Sequence, residues 1–190
     1  MLLKWCSRVF DTLGGPRLFE IIWGVFTTTS VLSKFETQAA SSVFGVAAVR
    51  YSSIRVAEGG LLWLILKLNG QRAFTTFHTI NFPKTGGHSR ANLDIVVHEI
   101  THVCQFETVG SVYIWQALRA QRTTGYAYGG WQSLQQDWST GKHFRDYNRE
   151  QQGSIAQDFY KEVISKGLPA DSPVCQAYGP FIGELRNREL

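Results

Sequence analysis

Two histidines separated by three residues, in the segment His98-Glu99-Ile100-Thr101-His102, are the side chains best suited to carry out chemistry. In an α-helix, side chains four positions apart lie one turn apart on the same face, so both imidazoles can reach one metal ion. Glu99 would project beside them, where it can accept a proton from a water molecule held by the ion. A bound zinc ion lowers the pKa of such a water to about 7. The segment therefore predicts a zinc site that activates water for hydrolysis.

A zinc site of this kind needs at least one further protein ligand. The extended pattern with a third histidine on the same segment is absent, because its glycine and histidine positions hold Gln105 and Thr108. Glu150 is the favoured third ligand, since it lies near the start of a predicted helix, and a rigid element holds a ligand well. His143, in a glycine-flanked loop, is the main alternative. The other candidates are Glu107, Asp146 and Asp158.

The elements that must position these groups are predicted to be helices. Apolar residues flank the histidine pair on both sides, which favours a helix over about 93–108 that is capped by Asn92 or Ser89 and ends before Gly110. Further helices are predicted at 112–122, at 146–165, where Gly167 and Pro169 follow as stop signals, and at 174–188. The second half of the chain is therefore expected to be largely helical.

The region before the histidines is predicted to contain strands as well as a helix. Residues 33–44 favour an amphipathic helix with Phe35, Ala39 and Phe44 facing inward. Strands are predicted at 46–57 and 72–82, where β-branched and aromatic residues are frequent, while the apolar run LLWLILKL between them fits a buried strand or a helix equally well. A small antiparallel or mixed sheet followed by helices is an α+β pattern, and we predict that fold class.

Composition and charge limit the classes of function that the chain can have. A chain of 190 residues with 44% hydrophobic residues suits one compact domain. The net charge of +4 comes from scattered lysines and arginines, which predicts no nucleic-acid partner. The uncharged stretch 21–33 is too short to span a bilayer and is expected to be a core or interfacial segment. Residues 1–30 are otherwise left unassigned.

Cysteine usage and the N-terminus bear on location. Cys6, Cys104 and Cys175 lie far apart, and an odd number without a C-x-x-C pair argues against a disulfide framework. Cys104 is expected to be a buried, inert thiol. The N-terminus lacks the pattern of a Sec signal. We therefore expect a cytoplasmic protein, or one exported by a route other than Sec.

Several segments together suggest a family. The segments VVHEITHVCQFE, GYAYGG and YNREQQGSIAQDFY, and upstream SSVFG, IRVAEGG and RAFTTFHTINFP, resemble a group of zincin-like metallopeptidase domains. These domains occur in bacteria alongside phage-tail-like contractile injection systems and polymorphic toxins. The similarity covers roughly residues 32–165, and the histidine pair is its most specific element. It implies a zincin-like domain over residues 31–190 and a possible protein partner in a secretion assembly.

The resemblance also implies the site. His98 and His102 would be zinc ligands, Glu150 the third ligand of gluzincin type, and Glu99 the catalytic base. The family's ligand helix reads approximately Asn-x-Glu-Gln-Gln-Ala, and here Gly153 stands at the alanine position, which allows close approach of the first helix.

A supporting residue of the well-studied gluzincins is missing. They place an aspartate four residues after the third ligand to orient a histidine, but that position here is Ser154, so Asp158 or a backbone carbonyl is expected to do so. Amide hydrolysis also needs a donor for the developing oxyanion. The candidate donors are Tyr126, Tyr128, Tyr147 and His143. His78 is expected to be a plain strand histidine.

These features lead to two functional hypotheses. The first is a zinc-dependent peptidase or amide hydrolase that acts on a peptide or protein substrate. The second is a non-catalytic zinc-binding module that serves as an accessory or docking domain of an injection system. Both use the same ligands, and they differ in whether Glu99 takes part in turnover.

Overall fold

A small mixed sheet forms in the first half of the chain. The computed structural model describes residues 2–123 and 125–190. The strands are β1 (Thr28–Ser30), β2 (Arg55–Glu58), β3 (Phe74–Thr76) and β4 (Thr79–Asn81). Their order is β1-β2-β4-β3, and β2 pairs with β4 in parallel while the two outer pairs are antiparallel. The predicted α+β class with a small mixed sheet is confirmed.

Helices make up most of the described residues, about 61%. They begin at the N-terminus and dominate after the sheet, as the sequence predicted for the second half. A π-helical turn at Tyr160–Ile164 extends the eighth helix. The helices are α1 (Leu2–Thr12), α2 (Gly15–Phe26), α3 (Lys34–Phe44), α4 (Leu62–Leu68), α5 (Leu93–Val109), α6 (Val112–Arg122), α7 (Gly130–Ser139), α8 (Arg149–Phe159) and α9 (Pro173–Arg186).

The core surrounds α5. This helix is buried without interruption from Val96 to Gln105, because α3, α6, α8 and strand β3 pack against it. Its contact with α8 is the most extensive between any two elements of the described chain. Val97, Ile100 and Ile155 are fully buried among the side chains of the main core. The neighbouring elements therefore hold the helix that carries the histidine pair in place, without any contribution from a bound metal ion.

Helix α3 begins close to its predicted start, but one inward residue was wrong. Ser33 caps the helix and exchanges hydrogen bonds with Glu36 in a capping box. The buried face follows Glu36, Ala39, Ala40 and Val43, a spacing of three and four residues. Phe35 lies about a quarter turn away from this face and is 76% exposed.

Both predicted long strands are shorter than expected. Between residues 46 and 57 the chain forms turns and a 3₁₀ turn at Tyr51–Ser53 before β2 begins. The predicted strand 72–82 is a tight hairpin, since Phe77 adopts a positive φ of 55° and reverses the chain between β3 and β4. Phe77 is held there by ring contacts with Phe19 and Phe106. Tertiary contacts thus split into two strands a segment whose sequence pattern predicts one continuous strand.

Helices α1 and α2 form in the segment that the sequence left unassigned. They pack together, and α1 also contacts α6. The Asp11 carboxylate accepts hydrogen bonds from the backbone and side chain of Ser111. The Glu20 carboxylate accepts a 2.7 Å bond from the backbone amide of His78. Both acids of this segment are therefore turned toward the rest of the domain.

Among the described residues, no helix combines the length and the apolar character needed to cross a bilayer.

Candidate metal centre

The centre forms where α5 and α8 lie side by side. His98 and His102 project from adjacent turns of α5, and Glu150 projects from the first turn of α8. Asn148 fixes the start of α8, because its side-chain oxygen accepts bonds from the amides of Glu150 and Gln151. The local sequence thus determines where α8 begins, and the packing of α8 on α5 brings its carboxylate to the imidazoles.

The three side chains converge. The Glu150 Oε2 atom lies 3.4 Å from His98 Nε2 and 3.6 Å from His102 Nε2. One potential ligand atom from each residue lies within 4.8 Å of the other two, and all three residues are buried. Two imidazole nitrogens and a carboxylate oxygen form a donor set that binds divalent metal ions. The residues therefore fit a metal ion held between α5 and α8.

Gly153 permits this close approach of the helices. A Cβ atom added at Gly153 would lie 2.7 Å from His98 Cε1 and 2.8 Å from its Nε2, closer than atoms can pack. The residue lies one turn after Glu150 on α8, so its missing side chain leaves the space that the His98 ring occupies. A glycine lowers helix stability, but here it decides the distance between the ligand helices.

The orientation of His98 is set by an amide. Its Nδ1 lies 3.1 Å from Gln157 Oε1, and the Gln157 Nε2 donates to the Asp94 carboxylate at 3.0 Å. A carboxylate only accepts, so the amide nitrogen must face Asp94 and its oxygen must face His98. His98 then donates from Nδ1 and presents the Nε2 lone pair toward Glu150 and the metal position.

His102 is oriented in the same manner from the other side. Its Nδ1 lies 2.8 Å from Gln105 Oε1, while Gln105 Nε2 donates to the Arg149 carbonyl at 3.0 Å and to Gln152 Oε1 at 2.9 Å. The carbonyl can only accept, which fixes the direction of the Gln105 amide. His102 therefore also presents Nε2 to the centre.

These orienting amides were missed by the sequence reasoning. The expected Asp158 instead accepts a 2.7 Å bond from Tyr128 and does not contact either histidine. Two spacings could have indicated the amides: Gln105 follows His102 by three residues, and Gln157 follows Glu150 by seven, both on one helix face. Glutamine carries no charge and gives a weaker sequence signal than aspartate.

In the centre, Glu150 and His102 shift each other's pKa. Burial on its own would lower the pKa of His102, but the Glu150 carboxylate outweighs it and raises that pKa to about 9. Burial would likewise raise the pKa of Glu150, but the two histidines hold it well below its usual range. A divalent cation would displace the proton of His102, because an imidazole must be deprotonated to act as a ligand.

Glu99 lies beside the pair and is held by the sheet. It is buried, and its Oε2 accepts a 2.8 Å hydrogen bond from the Thr75 hydroxyl of β3. The Thr75 carbonyl in turn accepts a 2.8 Å bond from the Tyr113 hydroxyl of α6. The Glu99 carboxylate is therefore fixed between β3, α5 and α6. Thr75 is a third residue, after Gln105 and Gln157, that the sequence did not single out.

The centre opens into a cleft with a cavity of about 340 Å³. Strand β3 forms one wall, and Ile114, Ala117 and Leu118 of α6 form an apolar wall. The histidine pair, Glu99 and Glu150 line the same cavity. A cleft of this size admits a side chain and a short stretch of backbone.

Of the predicted oxyanion donors, one reaches this cleft. Tyr126 lines it, and its ring lies 5.8 Å from that of His98. The other candidates are bonded elsewhere: Tyr128 to Asp158 and Tyr178, Tyr147 to Asp137, and His143 to Glu184.

Two further predictions concern residues outside the centre. Glu107 was a candidate third ligand, but it lies in an ion cluster with Arg50 and His78. His78 lies in the hairpin turn between β3 and β4 and is not a strand residue. Neither Glu107 nor His78 lines the cleft described above.

Comparisons of the chain with protein-family models, with curated proteins and with solved structures find no match.

Proposed function

We propose that this chain is a zinc-dependent peptidase or amide hydrolase of the zincin-like, gluzincin type. His98, His102 and Glu150 would hold the zinc ion, and Glu99 would act as general base. The observation that carries the proposal is the convergence of three buried donors beside a fourth, fixed carboxylate at the base of a cleft. A structural ion would need no such cleft and no neighbouring base.

Zinc is the metal that best suits this donor set. Two neutral imidazoles with one carboxylate leave a position open, as catalytic zinc sites do, while calcium and magnesium prefer oxygen ligands. When bound, the ion supplies a water molecule of lowered pKa and polarises the carbonyl group of the substrate. The buried position of the ligands would strengthen both effects by excluding bulk water.

The protein's own residues supply the proton transfers. Glu99 would take a proton from the attacking water and deliver it to the leaving amine, since it lies one residue from His98 and faces the same cavity. Thr75 would keep this carboxylate in position through its 2.8 Å hydrogen bond. The two glutamine amides would keep both Nε2 atoms directed at the metal position.

Tyr126 is the residue suited to stabilise the oxyanion. Burial, with the charges of Glu150 and Glu99, raises the pKa of its hydroxyl to about 12. The hydroxyl would therefore remain protonated at neutral pH and could donate to a developing alkoxide. Strand β3 lies at the edge of the sheet and borders the cleft, so an extended peptide could pair with it. A peptide or protein substrate fits this arrangement.

The test compares Glu99→Gln with the wild-type protein. Metal content is measured after purification, and hydrolysis is followed with a mixed library of peptides. We expect zinc in both proteins at a one-to-one ratio and a loss of at least about a hundredfold in turnover in the variant, because the general base is gone. Equal turnover of the two proteins with intact zinc contradicts the assignment of Glu99.

A control variant distinguishes the effect of losing the metal ion from the effect of losing the general base. His98→Ala should lose zinc as well as activity, since one of three ligands is removed. Zinc bound by the wild-type protein without hydrolysis of any peptide would instead support the non-catalytic module, with the same ligands serving as an accessory or docking site.

A further inference from the structure

Helix α2 carries an apolar stripe that faces away from the domain. Leu18, Ile21, Ile22 and Val25 follow one another at intervals of three and four residues, the spacing of one helix face. All four are exposed, and Val25 is 77% exposed. The opposite face of α2 carries Trp23, which packs on the protein, so the helix is apolar on both sides.

Helix α4 repeats this arrangement. Leu62 and Leu66 are buried, whereas Leu61, Leu64, Ile65 and Leu68 form a second outward stripe at the same spacing. Trp63 beside this stripe is also exposed. A helix with apolar residues on two opposite faces normally has both faces covered. Two adjacent helices of this kind on one domain are unusual for a surface that only meets water.

The two stripes belong to one region. Trp23 of α2 packs against the small cluster of Ala57, Leu62 and Leu66, and the backbone amide of Leu61 donates to the Phe26 carbonyl at 3.0 Å. The inward faces of α2 and α4 therefore meet at the same cluster, and the stripes face away from it. We call these two outward stripes, together with Trp63, the apolar surface.

The exposed charges beside the apolar surface are mostly cations. Three of them lie on or beside α2 and α4: Arg17, Lys67 and Lys84. The nearby acids are bonded within the domain, since Glu20 accepts from the backbone amide of His78 and Glu58 pairs with Arg90. The sequence has no acidic residue from Gly59 to Leu93. The Lys84 side chain lies next to Gly59, immediately before α4.

We propose that the apolar surface docks the protein on an anionic lipid bilayer. Leucine, isoleucine and valine would enter the boundary between headgroups and acyl chains, and Trp63 would lie at the headgroup level. The cations would contact lipid phosphates and strengthen binding to an anionic surface. The proposal does not depend on the metal centre or on hydrolysis.

The composition of the surface favours a bilayer over a protein partner. The stripes consist of aliphatic residues, whereas the buried cores of protein interfaces are enriched in aromatic residues, methionine and arginine. A bilayer offers hydrocarbon below and charged headgroups around. The cations Arg17, Lys67 and Lys84 complement anionic headgroups.

The test is sedimentation of the full chain with vesicles. One set contains phosphatidylcholine alone, and the other contains equal parts of phosphatidylcholine and phosphatidylglycerol. We expect tighter binding to the anionic set, and weaker binding as salt concentration rises, because the cations contribute. The variant Ile22→Asp with Leu64→Asp should lower the vesicle affinity by at least about tenfold, since it places a charge in each stripe.

A matched control carries the same change elsewhere. Phe35→Asp with Val46→Asp alters two exposed apolar residues on or after α3, and binding should stay within about twofold of the wild type. Circular dichroism spectra and thermal unfolding transitions verify that each variant is folded. A folded wild-type protein that stays in the supernatant with both vesicle sets overturns the proposal. So does equal binding by the stripe variant, or a wild-type dimer that this variant dissociates.

Discussion

At the scale of single residues, the metal centre depends on hydrogen-bond direction as much as on the ligands. A histidine has two nitrogens, and the partner of one decides what the other can do. In this protein Gln157 and Gln105 serve as those partners, and each is itself fixed by an acceptor. The candidate ligand atoms are thus aimed at one point, which would lower the cost of binding a metal ion there.

This orientation can be tested with Gln157→Leu. The substitution removes the acceptor of His98 Nδ1 but keeps the side chain's approximate size. We expect zinc affinity to fall by about tenfold to a hundredfold, the usual effect of losing such a partner. A competition titration with a chromogenic chelator measures it. Gln38→Leu, at an exposed position of α3, is the control and should not change affinity. Equal affinities of all three proteins would show that Gln157 has no orienting role.

At the scale of elements, the decisive contact is between α5 and α8. One helix contributes both imidazoles and the other contributes the carboxylate, so the ligand distances are set by how closely the helices approach. Gly153 sets that approach, because a Cβ atom there would collide with the His98 ring. The packing of this chain therefore requires glycine at position 153.

Gly153→Ala should therefore damage the site while improving helix propensity. We expect at least about a tenfold loss of zinc affinity, because displacement of His98 disrupts a ligand. The control is Gly183→Ala in α9, where nothing lies within 4 Å of an added Cβ atom. That variant should bind zinc normally and gain up to about 1 kcal/mol in the free energy of unfolding. Equal zinc affinities of the two variants would contradict the packing argument.

At the scale of the whole molecule, two buried carboxylates connect distant segments. Glu36 of α3 pairs with Arg90 in the loop before α5, at 2.8 Å. Glu107 at the end of α5 pairs with Arg50 and lies 3.1 Å from His78. Burial opposes ionisation of both acids, but hydrogen bonds to Arg90 and to His78 and Arg50, respectively, hold their pKa values below the usual range.

These lowered pKa values predict loss of stability in acid. A carboxyl whose pKa is lower in the folded than in the unfolded state stabilises the fold above its unfolded pKa of about 4.5. That contribution disappears as the pH falls through the folded pKa, because the folded state must then take up a proton. Urea midpoints should therefore fall as the pH drops below about 4.5. Glu36→Gln should flatten this decline, whereas Glu189→Gln, near the C-terminus, should not. An unchanged slope in Glu36→Gln would contradict the assignment.

Local sequence determined much of this protein without tertiary information. The spacing of His98 and His102 places them one turn apart in any helix, and the capping residues Ser33 and Asn148 begin their helices where local hydrogen bonding is satisfied. The α6 bounds at 112–122 agree with the prediction. These features depend on interactions within one or two turns, so nearby residues are sufficient to specify them.

Tertiary structure decided the rest. The turn at Phe77 depends on ring contacts from distant helices. The apolar run at 61–68 fitted a strand or a helix equally well, and in the structure it is a helix whose Leu62 and Leu66 pack against Ala57. The pairing of Glu150 with the imidazoles, and of Gln157 with His98, joins residues more than fifty positions apart. Such contacts follow from the packing of whole elements, in which the many buried side chains of α5 and α8 together determine where each polar group points.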